Sequence, residues 1–196
     1  NYTSADQAPE ISIFADAIAD EVQKVCAELG IQVPVVCFEP GRVISGPAGI
    51  TVYNVGTIKD VQLNEDGISG VRKYVSIDGG MSDNARPSLY SADYSPLLAS
   101  RVSKSQPALA RVVGKHCESG DIVVRNCYLP SDVNPNDLLA VAATGAYCHS
   151  LASNYNYVTR PAIVAVKDGK VQLLLRAETE ADMFARDPGY SEDKTG

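Results

Sequence analysis

The hydrophobic periodicity of the chain changes near residue 50, and this change constrains the fold more than any other feature of the sequence. Between residues 9 and 29, apolar side chains recur at three- and four-residue steps, which predicts an amphipathic helix that Gly30 ends. The short β-branched run 33–38 then predicts a strand buried on both faces. Beyond residue 50 the apolar residues alternate with a period of two, so we expect strands there.

The second part of the chain predicts a β domain with closely spaced strands. Strands are expected over residues 51–59, 71–77, 122–124, 138–144 and 162–166. The Asp-Gly pairs at 66–67 and 168–169 are typical of two-residue hairpin turns. Residues 146–155 are expected to form one inserted helix, and Thr179 with Asp182 resembles the capping box of a short terminal helix. This strand density favours a sandwich or a barrel-like domain.

Two structural units are therefore expected. Residues 1–49 contain one helix-strand unit, which cannot close a sheet alone and is expected to be the remnant of a larger α/β architecture. Residues 50–196 form the β domain. The predicted fold class is mainly β with an α/β remnant, and the unpaired edges of strand 33–38 favour association as a dimer.

Charge and composition exclude several classes of partner. The net charge is −7 and no basic cluster exceeds the pair Arg72-Lys73, which argues against nucleic acids and anionic membranes. Five scattered cysteines, an odd number, do not predict a disulfide framework, and with only two histidines we expect no metal site. No apolar stretch approaches the roughly 20 residues that span a bilayer, and no export signal opens the chain. Since no disulfide framework is expected, we expect the thiols to be reduced and the protein to be cytoplasmic.

Glu39, Pro40, Gly41 and Arg42 follow the predicted strand 33–38 directly. The carboxyl ends of strands in α/β architectures are where ligands bind. A carboxylate and a guanidinium three residues apart could therefore hold a ligand with both basic and anionic groups. The alternative is a surface turn with an incidental ion pair.

The segment 78–90 begins with Asp-Gly-Gly, whose two glycines allow a sharp bend after a strand. Arg86 and Tyr90 lie four residues apart within it. A guanidinium and a phenol suit the recognition of a carboxylate. A structural loop rich in turn-forming residues is the alternative.

The segment 114–121 places Cys117 beside Glu118, near a lysine and a histidine. The ordinary pKa of a thiol, near 8.5, suits proton donation close to neutral pH. Cysteines are also often small buried hydrophobic residues, which is the alternative here. In a fourth segment, Gly145 interrupts an apolar strand just before Tyr147, which could face a ligand or cap the core.

Together, the order and spacing of these four segments resemble the C-terminal half of the diaminopimelate decarboxylases, in particular the actinobacterial enzymes. The resemblance runs from the helix near residue 9 through Arg176. It implies a pyridoxal-phosphate decarboxylase of fold type III. Such enzymes carry an alanine-racemase-like (β/α)8 barrel ahead of this region, with the Schiff-base lysine and a glycine-rich phosphate loop. No lysine here stands in the expected Tyr-Ala-x-Lys context, so we expect a C-terminal portion that is inactive alone.

The resemblance also implies the reaction and the cofactor contacts. Family members convert meso-diaminopimelate to L-lysine and carbon dioxide in lysine biosynthesis, with pyridoxal 5′-phosphate as cofactor. Glu39 would pair with the pyridinium nitrogen of the cofactor, within the cofactor-binding run that includes Pro40 and Gly41. Arg42 would bind the phosphate or a substrate carboxylate, and Tyr147 would contact cofactor and substrate.

Further roles follow from the same resemblance. Arg86 and Tyr90 would bind the distal carboxylate of the substrate, and Glu118 its distal ammonium. Cys117 would donate a proton to the carbon that loses carbon dioxide. In this family the cysteine and the glutamate reach across a homodimer interface into the active site of the partner. His149 stands where a tyrosine is expected and lies outside these roles.

Two other hypotheses compete with this one. Ornithine and arginine decarboxylases of the same fold share the Glu-Pro-Gly-Arg run, but they have aspartate after the cysteine and lack the Arg86-Pro-x-x-Tyr90 pattern. Alternatively, the chain is a non-catalytic β module that associates with itself or with its barrel half.

Overall fold

The computed structural model describes residue 3, residues 7–65 and residues 68–189, except for the side chains of residues 65 and 68. The helices are α1 (Ile11–Leu29), α2 (Arg42–Ser45), α3 (Arg86–Tyr90), α4 (Cys148–Leu151) and α5 (Glu180–Phe184), and a short 3-10 turn covers Tyr155–Tyr157. The strands are β1 (Ile50–Glu65), β2 (Ile68–Ile77), β3 (Pro96–Leu98), β4 (Pro107–Val113), β5 (Ile122–Pro130), β6 (Leu138–Ala142), β7 (Ile163–Lys167) and β8 (Lys170–Leu175).

Helix α1 confirms the predicted amphipathic helix to within two residues. Gly30 ends it in the left-handed conformation (φ 66°), where glycine pays no penalty for a side chain. The apolar face is largely exposed: Phe14 and Leu29 are more than half exposed, and within the helix only Cys26 is buried. The helix forms as its sequence predicts, but its apolar face does not join the core.

The predicted strand 33–38 is wrong. The structure assigns neither strand nor helix to residues 31–41, and Val33, Val35 and Phe38 are exposed. A β-branched, apolar composition does not by itself make this segment a strand, because a strand needs a neighbouring strand with which to form hydrogen bonds. No strand in the described ranges pairs with this segment.

The β domain is built on one six-stranded sheet in the order β3-β6-β1-β2-β4-β5. Strand β1 is long enough to pair with two partners: Ile50–Asn54 pairs with β6, and the part from Val55 onward pairs with β2. Only β2 and β4 run parallel among these pairs. The edge strands β3 and β5 lie next to each other without pairing, so the sheet forms a nearly closed, barrel-like structure. This confirms the mainly β fold class.

Alternate residues of the barrel strands fill its interior. The inward positions are Tyr53 and Val55 on β1, Val75 and Ile77 on β2, Ala110 and Val112 on β4, Leu129 on β5, and Leu139 and Val141 on β6, all nearly or fully buried. This two-residue spacing is the period seen in the sequence beyond residue 50, because successive side chains of a strand point to opposite faces. The division into two domains at residue 50 stays a prediction.

Several local predictions are confirmed, and one is corrected. The turn at 168–169 has both residues in the left-handed region (φ 52° and 71°), as a hairpin of this type requires, and Thr179 and Asp182 form the capping box. The turn at 66–67 lies outside the described residues. The single helix expected over 146–155 is instead α4 followed by the 3-10 turn. Ala152 is extended, and the backbone N–H of Ser153 donates to Ser82, which ends the helix.

Candidate functional site

The segments 78–90 and 114–121 meet at the buried carboxylate of Asp121. Its Oδ1 accepts a hydrogen bond from the backbone N–H of Met81 at 2.7 Å. Its Oδ2 accepts one from the backbone N–H of His116 at 2.8 Å and lies 2.8 Å from His116 Nδ1. Both side chains of the pair are fully or nearly fully buried. One acidic residue therefore joins two loops that are about 40 residues apart in sequence.

Two glycines make room for this carboxylate. A Cβ atom on Gly80 would lie 2.6 Å from both carboxylate oxygens of Asp121, and one on Gly114 would lie 2.1 Å from Oδ2. Such contacts are far inside van der Waals range. The Gly-Gly pair that the sequence suggested as a bend therefore also serves to bring the backbone against Asp121, and Lys115 N–H donates to Gly79 C=O at 3.0 Å.

Cys117 and Glu118 lie at the exposed end of the loop that Asp121 holds. Tyr155 donates its hydroxyl to Glu118 Oε1 at 2.5 Å, and the amide of Asn156 lies 3.9 Å from Cys117 Sγ. The hydrogen bond to the Glu118 carboxylate raises the pKa of Tyr155 above its ordinary value. The thiol and the carboxylate are thus solvent-accessible groups on an anchored backbone.

Arg86 connects the second segment to the fourth. Its side chain is buried at the start of α3, its Nη1 donates to Tyr94 Oη at 3.4 Å, and its guanidinium lies 5.3 Å from the centre of the Tyr147 ring. Tyr90, at the end of α3, is 65% exposed. Ser88 between them donates to the backbone carbonyl of Gly120 at 3.1 Å. Helix α3 is therefore fixed against the loop that carries Cys117 and Glu118.

The fourth segment is held in an unusual backbone conformation. Tyr147 has φ 68° and ψ −30°, outside the regions that L-residues prefer, while its side chain is half exposed. Strain of this kind persists where the surroundings over-determine it and is concentrated at functional sites. The position of Tyr147 beside Arg86 fits this pattern.

The first segment lies against the fourth through glycine contacts. A Cβ atom on Gly145 would lie 1.9 Å from the backbone oxygen of Ser45, and Gly145 N–H donates to Gly46 C=O at 3.1 Å. Arg42 begins α2 just before this contact, and Glu39 lies on the surface. All four sequence-predicted segments are thus linked: the second, third and fourth directly, and the first through α2.

Sequence reasoning missed Tyr155, Asn156 and Tyr94. The run Tyr155-Asn156-Tyr157 carried a usable signal, since an amide between two aromatic residues is not a core pattern. Tyr94 carried no such signal, because the sequence around a single tyrosine in a loop does not indicate which group its hydroxyl contacts. In the ranges that the structure describes, no group of three or more His, Cys, Asp or Glu could hold a metal ion. None of the helices in these ranges has the length and hydropathy of a membrane-spanning segment.

Comparison with known proteins identifies the family. Residues 13–145 match the model of the pyridoxal-dependent decarboxylase C-terminal sheet domain. The chain belongs to this family. Diaminopimelate decarboxylase of Mycobacterium tuberculosis is 50% identical over 185 residues, which cover 94% of this chain and 41% of the relative. Diaminopimelate decarboxylase of Bacillus subtilis is 40% identical over 195 residues, covering 100% of this chain and 42% of the relative.

A solved structure of the family agrees with this fold. The diaminopimelate decarboxylase of M. jannaschii in complex with L-lysine superposes with a TM-score of 0.80 at 32% identity, covering 95% of this chain and 40% of that chain. The chain thus spans about two fifths of the length of the relatives that it matches. It carries the sheet domain of the family and the residues described above.

The residue types of the first and fourth segments suit two groups of pyridoxal phosphate. Its ring nitrogen needs an anionic partner, and its phosphate needs cationic or N–H donors. Glu39 presents an exposed carboxylate, Arg42 presents a guanidinium three residues later, and the ring of Tyr147 is half exposed. No lysine of the sequence stands in the context of the cofactor lysine of this family. The residues that the structure describes present these groups separately and do not form a cofactor site by themselves.

The close contact at Gly114 leads to a testable prediction. In Gly114→Ala the new methyl group would meet the Asp121 carboxylate, and overpacking of this kind costs about 1–3 kcal/mol of unfolding free energy. Gly120→Ala, in the same loop, is the matched control, since a Cβ there meets nothing within 4 Å. Urea unfolding of the two variants should show a clear loss for Gly114→Ala and little change for Gly120→Ala. Equal losses would contradict the packing described here.

Proposed function

We propose that this chain is the C-terminal portion of a pyridoxal-phosphate-dependent diaminopimelate decarboxylase, which converts meso-diaminopimelate to L-lysine and carbon dioxide in lysine biosynthesis. The chain acts only together with the barrel half that carries the Schiff-base lysine. The observation that supports this most is the joining of Arg86 and Tyr90 to Cys117 and Glu118 by Asp121 and by the Ser88–Gly120 hydrogen bond. A guanidinium, a carboxylate and a thiol thus lie on adjoining loops of one chain.

The substrate has a second amino-acid head group that must be recognised and left intact. Arg86 and Tyr90 bind its distal carboxylate, for which a guanidinium offers a planar pair of donors. The Arg86 guanidinium is already held over the Tyr147 ring and beside Tyr94, so little of its freedom remains to be lost on binding. Glu118 binds the distal ammonium.

Cofactor contacts come from the first and fourth segments. When bound, pyridoxal phosphate supplies an electron sink for the electrons left when carbon dioxide departs. Glu39 accepts a hydrogen bond from the pyridinium nitrogen and stabilises its positive charge. Arg42 holds the phosphate or a substrate carboxylate, and Tyr147 contacts both cofactor and substrate. Pro40 and Gly41 shape the backbone between Glu39 and Arg42.

Cys117 is the proton donor. Its proton is held on Sγ and passes to the substrate carbon that has lost carbon dioxide, and solvent reprotonates the thiolate once the product has left. In the homodimer, Cys117 and Glu118 extend into the active site of the partner. The reaction takes place in the cytoplasm, where the free cysteines of the described residues would stay reduced.

Two alternative functions can be distinguished from the proposed one by experiment. A decarboxylase acting on ornithine or arginine does not need both Glu118 and the Arg86–Tyr90 pair, because those substrates lack a second carboxylate. A non-catalytic, self-associating β module is favoured for the isolated chain by the exposed apolar face of α1 and by the β7–β8 hairpin, where Val166 and Leu173 are more than 60% exposed. Combined with its barrel half, such a module would release no carbon dioxide from meso-diaminopimelate.

The function is tested by carbon dioxide release from meso-diaminopimelate. We expect release by the full-length protein, in which this chain follows its barrel half, or by a mixture of the two halves, and none by this chain alone. The reason is that the cofactor lysine is supplied by the barrel half. Ornithine and arginine are the control substrates. Faster turnover of either, or turnover by the isolated chain, would contradict the proposal.

Substitutions in the full-length protein separate the proton donor from the substrate ligands. Cys117→Ala should lower kcat about 10²- to 10⁴-fold with little change in KM, since a general acid acts only along the reaction coordinate. Arg86→Ala should chiefly raise KM, because the distal carboxylate is bound from the start. Cys127→Ala, at a cysteine on β5 with no role in the proposal, is the control and should leave both constants unchanged. A large KM effect of Cys117→Ala with normal kcat would refute its role.

A further inference from the structure

Tyr155 touches the residues on both sides of Cys117. Its ring stacks on the His116 imidazole, with centroids 5.7 Å apart and an interplanar angle of 30°, and its hydroxyl donates to Glu118 Oε1 at 2.5 Å. His116 is itself fixed by Asp121. A single tyrosine from a different part of the chain therefore connects the anchored base of the cysteine loop to its exposed carboxylate.

The turn that carries Tyr155 is held rigidly. Asn154, just before it, donates from Nδ2 to Glu178 Oε2 at 2.6 Å and to the backbone oxygen of Val158 at 3.2 Å. The next two residues, Asn156 and Tyr157, both adopt the left-handed backbone conformation (φ 53° and 56°). Two consecutive residues in this region persist only when their surroundings determine them. The hydroxyl of Tyr155 is thus presented to Glu118 from a fixed position.

Among the residues that the structure describes, Tyr155 alone restrains the Glu118 carboxylate through a hydrogen bond. Glu118 is exposed, and Tyr155 is the hydrogen-bond partner that the structure shows for its carboxylate. A free glutamate side chain loses considerable rotamer entropy when it must adopt one geometry on binding a ligand. The hydrogen bond to Glu118 raises the pKa of Tyr155, and a phenol is already protonated, and so able to donate, near neutral pH. A carboxylate offers about four lone-pair sites, so one donor leaves the remaining sites open to an ammonium group.

We propose that Tyr155 is a positioning residue for Glu118: it fixes the carboxylate, through the hydroxyl bond and the stacking on His116, in the geometry that receives the ammonium of the substrate's distal head group. This inference rests on the proposed function. It assigns to Tyr155 part of the substrate specificity, because an already ordered carboxylate favours a substrate that carries a second ammonium. Asn156, whose amide lies beside Cys117 Sγ, belongs to the same turn.

The test is Tyr155→Phe in the full-length protein, which keeps the ring and its stacking and removes only the hydroxyl. We expect KM for meso-diaminopimelate to rise about 3- to 10-fold and kcat to change by less than about twofold, since one solvent-exposed hydrogen bond to a charged group is lost. Tyr157→Phe is the matched control: it removes a hydroxyl from the same turn, and its ring stacks on Phe184. Its kinetic constants should equal those of the wild type.

A double-mutant cycle with Glu118→Ala distinguishes positioning from a general structural role. With the carboxylate removed, Tyr155→Phe should change KM by less than about twofold, because its effect acts through Glu118. An equal KM effect in both backgrounds, a loss of kcat instead of a rise in KM, or wild-type kinetics for Tyr155→Phe would overturn the inference while leaving the proposed function in place. A wild-type protein without activity on meso-diaminopimelate would overturn both.

Discussion

The buried carboxylate of Asp121 is the interaction on which the arrangement of the site depends. Its two oxygens accept backbone N–H groups from two different loops and face the His116 imidazole, and the backbone comes close enough only where Gly80 and Gly114 lack side chains. Because a buried carboxylate must have its hydrogen-bonding capacity satisfied, the two loops cannot separate without a large cost. Arg86, Cys117 and Glu118 are brought together as a consequence.

Further contacts around Asp121 fix the positions of the neighbouring side chains. Ser88 ties α3 to Gly120, the Arg86 guanidinium lies over Tyr147, and Tyr155 bridges from His116 to Glu118. Three of the groups to which we assign chemistry, those of Cys117, Glu118 and Tyr147, are by contrast half or fully exposed. A rigid support beneath accessible reactive groups is what a binding site for a small charged substrate requires. On the proposed function, the barrel half and the partner subunit complete the enclosure.

The sequence predicted the features that depend on local patterns. The end of α1 at Gly30, the alternating strands beyond residue 50, the hairpin turn at 168–169 and the Thr179–Asp182 capping box each follow from a few neighbouring residues. The strand 33–38 was wrong because pairing is not a local property. The helix expected over 146–155 was wrong because Ser153 bonds to the distant Ser82.

The sequence was sufficient to predict which segments form the candidate site, but it did not predict how these segments contact one another. The resemblance and the spacing singled out Arg86, Cys117, Glu118 and Tyr147, and the structure links the segments that contain them. The parallel pairing of β2 with β4 aligns the two strands that lead into the segments joined by Asp121. Nothing in the local sequence indicates that pairing. Tyr155 was missed for the same reason, since its role depends on which residues the fold places beside it.

We propose that Cys117 and Glu118 of one subunit act in the active site of its partner. The most direct test pairs a full-length Cys117→Ala subunit with a subunit lacking the Schiff-base lysine, so that each homodimer is inactive. In the mixed dimer one site has both the lysine and a thiol lent by the other subunit, so activity should recover to about half that of the wild-type dimer, one site of two. No recovery, in mixed dimers verified by mass, would contradict the account.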